Sequence, residues 1–153
     1  MKILVARITE EGSNYEGNEP AALLHAEEEQ FLRNPGDVHY KVYAQRVSDE
    51  LVVRGELNVD VELQCSRCSE FFSTTVGVSD FLRACPAPES TDSVDLKDDF
   101  RGEIMLHVPT FPLCAETCKG VCPQCGADLN KGSCTCKKED GPSAWSALDG
   151  LNL

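Results

Sequence analysis

The sequence predicts an α+β fold: an antiparallel β-sheet core with a few short helices, followed by a cysteine-rich C-terminal module. Three observations carry this reading. Residues 38–63 alternate apolar and polar with period two, the pattern of strands with one buried face. Helix signals are short and flank that stretch. Eight of the nine cysteines form four close pairs, Cys65/Cys68, Cys114/Cys118, Cys122/Cys125 and Cys134/Cys136, and three of these pairs lie beyond residue 113. A chain of 153 residues suits a core domain over 1–113, carrying the first pair, and a small cysteine-rich module over 114–153.

The elements follow in order. Ile3 and Val5 alternate weakly and predict a short strand over 2–8. Glu10 to Glu19 is polar and glycine-bearing, and reads as a loop. Pro20 suits the first turn of a helix through Ala21–Leu32, with Leu23, Leu24, Phe31 and Leu32 on one stripe and Glu27, Glu28 and Glu29 in solvent. Asn34-Pro35-Gly36-Asp37 turns the chain. Val38, Tyr40, Val42 and Ala44 then alternate with polar residues, and Ser48-Asp49-Glu50 turns. Leu57, Val59, Val61 and Leu63 share one face of the next strand, with Glu56, Asn58, Asp60 and Glu62 on the other. This is an antiparallel sheet with one wet face. The strand runs into Cys65-Ser66-Arg67-Cys68, and Phe71 to Leu82 returns, so the first pair sits at a hairpin tip. Residues 85–95 have loop composition. Asp95 is the N-cap of a short helix through Leu96, Phe100, Ile104 and Met105, although Gly102 weakens it. Pro109 and Pro112 deliver an extended chain to Cys114. Gly126, after Cys125, frees the backbone to turn around a sulfur, and Asp128 to Gly132 turns again. Gly141 to Leu148 starts a C-terminal helix whose Trp145 and Leu148, with Leu151, cover the core or the module.

No apolar run is long enough to span a bilayer, and the N-terminus lacks a signal peptide's length, with Arg7 interrupting it. The protein reads as cytoplasmic. In a reducing compartment close cysteine pairs are metal ligands sooner than disulfides. Four thiolates complete one tetrahedral Zn²⁺, so the eight cysteines predict two structural zinc ions in a zinc-ribbon-like arrangement; iron is the main rival metal. The preferred grouping is Cys65, Cys68, Cys114 and Cys118 for one ion and Cys122, Cys125, Cys134 and Cys136 for the other. The second set closes within fifteen residues, so its loop-closure entropy is small. The rival grouping joins Cys114, Cys118, Cys122 and Cys125, and leaves Cys65 and Cys68 with Cys134 and Cys136. Cys85 reads as a small buried hydrophobe. His107 is a weak ligand candidate, because both sets are complete without it, and His25 and His39 read as surface or packing residues.

Catalytic zinc keeps an open coordination position, whereas these sets are saturated with sulfur. The sequence has no Ser/His/Asp set, phosphate-cradling glycine loop or His-Glu-x-x-His. A thioredoxin-like role for Cys65/Cys68 would need a following helix and a βαβ setting. The chain therefore reads as non-enzymatic. Its net charge is −12, from 26 acidic and 14 basic residues; two four-thiolate zinc centres would take it to about −16. Such a chain is repelled by phosphate backbones and suits basic proteins, or the acidity simply keeps it soluble.

The order of motifs resembles one family. Cys65-Ser66-Arg67-Cys68 is followed by Phe111-Pro112-Leu113-Cys114, then Cys118-Lys119-Gly120-Val121-Cys122-Pro123-Gln124-Cys125-Gly126, Asp128-Leu129-Asn130, Cys134-x-Cys136 and a Pro-x-x-Trp-x-x-Leu ending. From about Val38 to residue 150 the chain is similar to the YceD family of large ribosomal RNA subunit accumulation proteins. The resemblance implies a bacterial or organellar protein supporting synthesis, processing or stability of large-subunit (23S) ribosomal RNA. It also implies that Cys65/Cys68 and Cys114/Cys118 belong to the family's common pattern, while the last four cysteines mark some branches. Gly141-Pro142-Ser143 stands where the family resemblance leads one to expect Asp-Pro-Arg, which puts RNA contact by that arginine in doubt.

Three functions follow as expectations. One is a ribosome-assembly accessory protein that meets a basic ribosomal protein or the large-subunit precursor, with Glu56, Asp60 and Glu62 as contacts. The second is a zinc-stabilised RNA-binding module using Lys119, Lys131, Lys137 and Lys138. The third is a redox- or zinc-responsive regulator. None requires a membrane or a small-molecule substrate.

Overall fold

The computed structural model describes residues 1–9, 11–88 and 90–136. In chain order the elements are β1 (Lys2–Leu4), β2 (Ser13–Glu19), β3 (Leu32–Arg33), β4 (Val38–Val47), β5 (Glu50–Gln64), β6 (Phe71–Pro86), β7 (Ser93–Asp95) and one α-helix, α1 (Lys97–His107). Short 3₁₀ turns occupy Val5–Arg7, Ala21–Leu24 and Ala26–Glu28. The predicted class holds: the molecule is mostly antiparallel sheet, with short helices and a C-terminal cluster of cysteines. Among the described residues no helix is long and apolar enough to cross a membrane.

β5 is the axis. Along one edge it pairs with β6 from Glu50↔Pro86 to Gln64↔Phe71. Along the other it pairs first with β4, from Val47↔Glu50 to His39↔Asn58, and then with β3 at Leu63 and Glu62. β2 lies outside β4, and β1 with β7 makes a separate two-stranded sheet. The period-two reading is reproduced residue by residue. Leu57, Val59, Val61 and Leu63 are buried while Glu56, Asn58 and Asp60 are exposed. The β5–β6 register shifts between Gly55 and Leu57, a bulge that bends the pair. A Cβ on Gly55 would fall onto the Lys41 carbonyl of β4, so only glycine lets the strands approach there.

α1 closes the buried face. Phe100 and Ile104, four residues apart, are fully buried, and Phe100 meets Phe81 edge-on at 5.0 Å and Tyr40 at 5.6 Å. Asp98 and Asp99 in its first turn and His107 in its last suit the helix dipole. Gly102 faces open space, so no close approach requires a glycine there, and the packing of Phe100 and Ile104 carries the helix despite it. Leu96, not Asp95, takes the N-cap position, but Asp95 Oδ1 still accepts from the Lys97 N–H at 3.2 Å.

Four further expectations are corrected. The segment Glu10–Glu19, read as a loop, contains β2. β4 would otherwise leave a row of backbone groups unpaired, and a polar strand suits a sheet edge. The helix expected over Ala21–Leu32 is two 3₁₀ turns separated by His25 at φ 49°. A twelve-residue helix with three adjacent glutamates is marginal by itself, and Leu32 is instead fully buried through its pairing with Leu63. Residues 85–95 are not all loop, since β6 runs through Pro86 and Val94 of β7 pairs with Ile3. The first strand is shorter than expected, ending at Leu4 in the 3₁₀ turn. The C-terminal helix expected from Gly141 to Leu148 lies outside the described residues.

Candidate metal centres

The β5–β6 hairpin places Cys65 immediately after its outgoing strand and Cys68 just before the return. The tip is a tight knuckle: Cys65 accepts from the Ser69 N–H at 2.9 Å and donates its own N–H to Glu70 O at 2.9 Å. Cys122-Pro123-Gln124-Cys125-Gly126 forms the same turn. Gly126 N–H donates to Cys122 O at 2.8 Å, and Cys122 N–H to Ala127 O at 2.8 Å. In each the residue after the second cysteine has positive φ, 60° at Ser69 and 73° at Gly126. Glycine announced this conformation at one knuckle; at the other a serine adopts it.

Beyond α1 the chain returns to the hairpin tip. Ser66 N–H donates to Pro112 O at 2.8 Å, which brings Cys114 and Cys118 to Cys65 and Cys68. The Arg67 guanidinium braces the arrangement, donating from Nη1 to Glu116 O and Cys118 O, both at 3.0 Å. Val121 N–H donates to Arg67 O at 3.1 Å. Gly120 packs so closely there that a Cβ would sit 2.9 Å from Arg67 O, and its φ of +73° is itself a glycine conformation.

The eight sulfurs gather in two sets, Cys65, Cys68, Cys114 and Cys118, and Cys122, Cys125, Cys134 and Cys136; within each, the sulfurs lie within 4.8 Å of one another. The rival grouping is not the one the chain adopts. In the first set Cys65 Sγ and Cys118 Sγ are 3.9 Å apart, and Cys68 Sγ and Cys114 Sγ 3.8 Å. A tetrahedron with Zn–S of ~2.3 Å has an S···S edge of roughly 3.8 Å. The donor set therefore fits one tetrahedral ion, and each of the two sets can hold one. The first is the more enclosed, with Cys65, Cys68 and Cys118 buried and Cys114 exposed; in the second only Cys122 is buried.

The electrostatics agree with thiolate chemistry. Burial pushes the Cys65 thiol up, but backbone N–H groups of Cys114, Cys68 and Arg67 outweigh it and bring it down to about 6. Hydrogen bonds from the Cys125 and Gln124 backbones lower Cys122 to about 6. Their neighbours move the other way: Cys114, facing Cys118, is pushed up to about 12, and Cys136, facing Cys125, also to about 12. Four crowded thiols cannot all ionise without a cation among them. A divalent ion held by the four sulfurs would supply that cation.

The other candidates sit elsewhere. Cys85 lies within β6, half-buried against the core, where desolvation raises its thiol; it is a packing residue, though less buried than expected. His107 hydrogen-bonds through Nδ1 with Glu103 O at 2.9 Å on α1 and is in neither cysteine set. His39 Nδ1 pairs with Asn18 Oδ1 at 2.7 Å, and His25 is the exposed left-handed residue between the 3₁₀ turns. Sequence reasoning missed the bracing groups Arg67, Asn130, whose Nδ2 donates to Cys118 Sγ at 3.4 Å, and Lys131, whose Nζ donates to Glu70 Oε1 at 2.6 Å. Arg67 was visible inside Cys-x-Arg-Cys, but nothing in a turn sequence marks Asn130 as a sulfur partner.

Fold and site together define a class: a protein whose described residues form an antiparallel sheet closed by one α-helix, and in which a hairpin knuckle and the cysteine-rich segment after that helix converge on two four-cysteine sets able to hold metal. The chain is more specifically similar to the YceD family, whose model, described as large ribosomal RNA subunit accumulation protein YceD, matches residues 83–152. The match includes the cysteines from Cys114 to Cys136, while Cys65 and Cys68 lie before it. A relative from Arabidopsis thaliana, named large ribosomal RNA subunit accumulation protein YCED homolog 1, chloroplastic, is 31% identical over 64 residues, 42% of this chain and 20% of the relative. One of the same name from Zea mays is 39% identical over 51 residues, 33% of this chain and 17% of the relative. The matched stretch thus covers at most a fifth of the length of these relatives. No solved structure matches the chain.

Proposed function

We propose that this protein is a non-enzymatic accessory factor for accumulation of large-subunit ribosomal RNA, held in shape by two structural zinc ions. The single observation that carries the reading is the family match over residues 83–152, which contains the second cysteine set and half of the first. Cys65, Cys68, Cys114 and Cys118 hold one ion, and Cys122, Cys125, Cys134 and Cys136 the other. Residues 1–113 act as the core domain and 114–153 as the module. The protein works where ribosomes are assembled, in cytoplasm or plastid, the latter suggested by the relatives' chloroplastic name.

Its contact is a basic ribosomal protein of the large subunit, reached through the acidic face of β5. Support comes from the net charge of −12 and from the exposure of Glu56 and Asp60. Glu62 is a poorer contact than the sequence suggested, because Arg33 Nε and Asn34 Nδ2 already donate to it at 2.7 and 3.0 Å. Direct RNA binding by the module draws less support: Lys131 is engaged by Glu70 at 2.6 Å and Asp128 at 3.5 Å, and Lys137 and Lys138 lie outside the described residues.

The test is the ratio of large- to small-subunit ribosomal RNA in cells depleted of the protein, then restored with the wild-type chain or a Cys114→Ser/Cys118→Ser variant. The expected result is a selective fall in large-subunit RNA that the wild-type chain restores and the variant does not. An unchanged ratio with normal precursors would refute the reading.

A further inference from the structure

We infer that Asn130, although it belongs to the loop closed by the second cysteine set, is a positioning residue for the first metal centre, so that filling the second centre tightens the first. The inference rests on the reading that both sets bind metal. Asn130 Oδ1 accepts from the Lys119 N–H at 2.8 Å. That bond decides which way the carboxamide points and leaves Nδ2 to donate to Cys118 Sγ at 3.4 Å. Asp128 Oδ1 holds the residue from the other side, accepting from Asn130 N and Nδ2, both at 2.9 Å.

The residues on either side of Asn130 are fastened as well. Leu129 N–H donates to Gly120 O at 2.9 Å, and Lys131 Nζ to Glu70 Oε1 at 2.6 Å on the hairpin. An N–H donor aimed at a thiolate stabilises its charge and orients it for the metal. Asn130 lies between Cys125 and Cys134, two ligands of the other set. An ion joining those two sulfurs restrains the intervening loop and keeps the amide at Cys118. Without that ion the loop is held by these hydrogen bonds alone, and the donor is in place for less of the time. Because coupling between sites is reciprocal, an ion in the first centre also favours filling of the second.

The experiment uses the full chain loaded with zinc and challenged with graded concentrations of a chelator. Freed thiols are alkylated and mapped by mass spectrometry, so each four-cysteine set is read separately. Asn130→Ala removes the donor. Asn130→Asp keeps the size and the acceptor for Lys119 but presents a carboxylate to the sulfur. Both variants are expected to weaken zinc at Cys65, Cys68, Cys114 and Cys118 by about 10- to 100-fold, the usual effect of losing an outer-shell partner. Zinc at the second set should fall less, through the coupling alone. In a Cys134→Ser/Cys136→Ser background the first set should already be weakened, and adding Asn130→Ala should then do little more.

The inference is overturned if either substitution leaves the first set's release unchanged, or if both sets weaken equally. It is overturned equally if Asn130→Ala acts as strongly in the Cys134→Ser/Cys136→Ser background as in the wild-type chain. A chain that protects no cysteine in either set would refute the metal reading itself, a result separable from these.

Discussion

Replacing Cys68 should damage the fold more than replacing Cys122, and the difference can be worked from where each set closes the chain. Cys68 and Cys114 are 46 positions apart, whereas Cys125 and Cys134 are nine apart. The entropy that a cross-link removes from the unfolded chain grows as 3/2 RT ln n, so the longer closure is worth about 1.4 kcal/mol more. In a domain of this size that corresponds to a melting temperature lower by about 3–6 °C in Cys68→Ser than in Cys122→Ser. Native mass spectrometry in excess zinc should find one ion left in each variant. Thermal unfolding followed by far-ultraviolet circular dichroism should show the larger drop for Cys68→Ser. Should Cys68→Ser and Cys122→Ser lose the same ion, as alkylation mapping would reveal, the grouping of ligands would be refuted. Should their melting temperatures coincide, the cross-linking argument would fail even with the grouping intact.

Other perturbations separate site from scaffold. Gly120→Ala forces a side chain into a left-handed backbone conformation and toward Arg67 O; the conformation alone should cost about 1–2 kcal/mol, read as a lower chelator concentration for zinc release from the first set. Phe100→Ala empties a fully buried position against Phe81 and Tyr40 and should cost about 3–5 kcal/mol in denaturant unfolding, with zinc stoichiometry unchanged while the chain is folded. Glu62→Gln tests the Arg33 pair by pH. The hydrogen bond from Arg33 holds the Glu62 carboxyl below its ordinary 4.5, so its stabilising effect is complete above pH 4.5 and is lost as pH falls through the lowered value. The gap in melting temperature between wild type and Glu62→Gln should therefore be constant near neutrality and close below pH 4.5.

How far the molecule was legible depended on whether local signals and tertiary demands agreed. Over β4 and β5 they did: alternation required a buried face, and the hairpin then had to carry Cys65 and Cys68 at its tip. They disagreed before residue 38. Ser13–Glu19 carries almost no apolar signal, because β2 is recruited by the free edge of β4 rather than by its own propensity. Ala21–Leu32 has helical residues, yet Leu32 is better buried beside Leu63 than on a short isolated helix. In the module the cysteine spacing sufficed to group the sulfurs, because the short closure of the second set leaves the others to each other. The bracing contacts were illegible for a different reason. Arg67 meets Glu116 and Cys118 only after α1 and two prolines have brought the chain back across some fifty residues, and no local pattern encodes that return.

That return also explains why the first centre belongs to neither part of the chain alone. Family similarity begins at residue 83, so half of the first cysteine set lies within the matched stretch and half on a hairpin before it. The hairpin supplies more than two sulfurs. Arg67 donates to Glu116 and Cys118 and accepts from Val121, Ser66 donates to Pro112, and Glu70 takes Lys131. Each contact joins the β5–β6 tip to the segment that follows α1. A module cut off from the hairpin would retain Cys122, Cys125, Cys134 and Cys136 as a complete set, but Cys114 and Cys118 would face two missing ligands and lose the surface against which Gly120 turns. The sheet is thus part of the first candidate centre, whereas the second set takes all four of its sulfurs from residues 122–136.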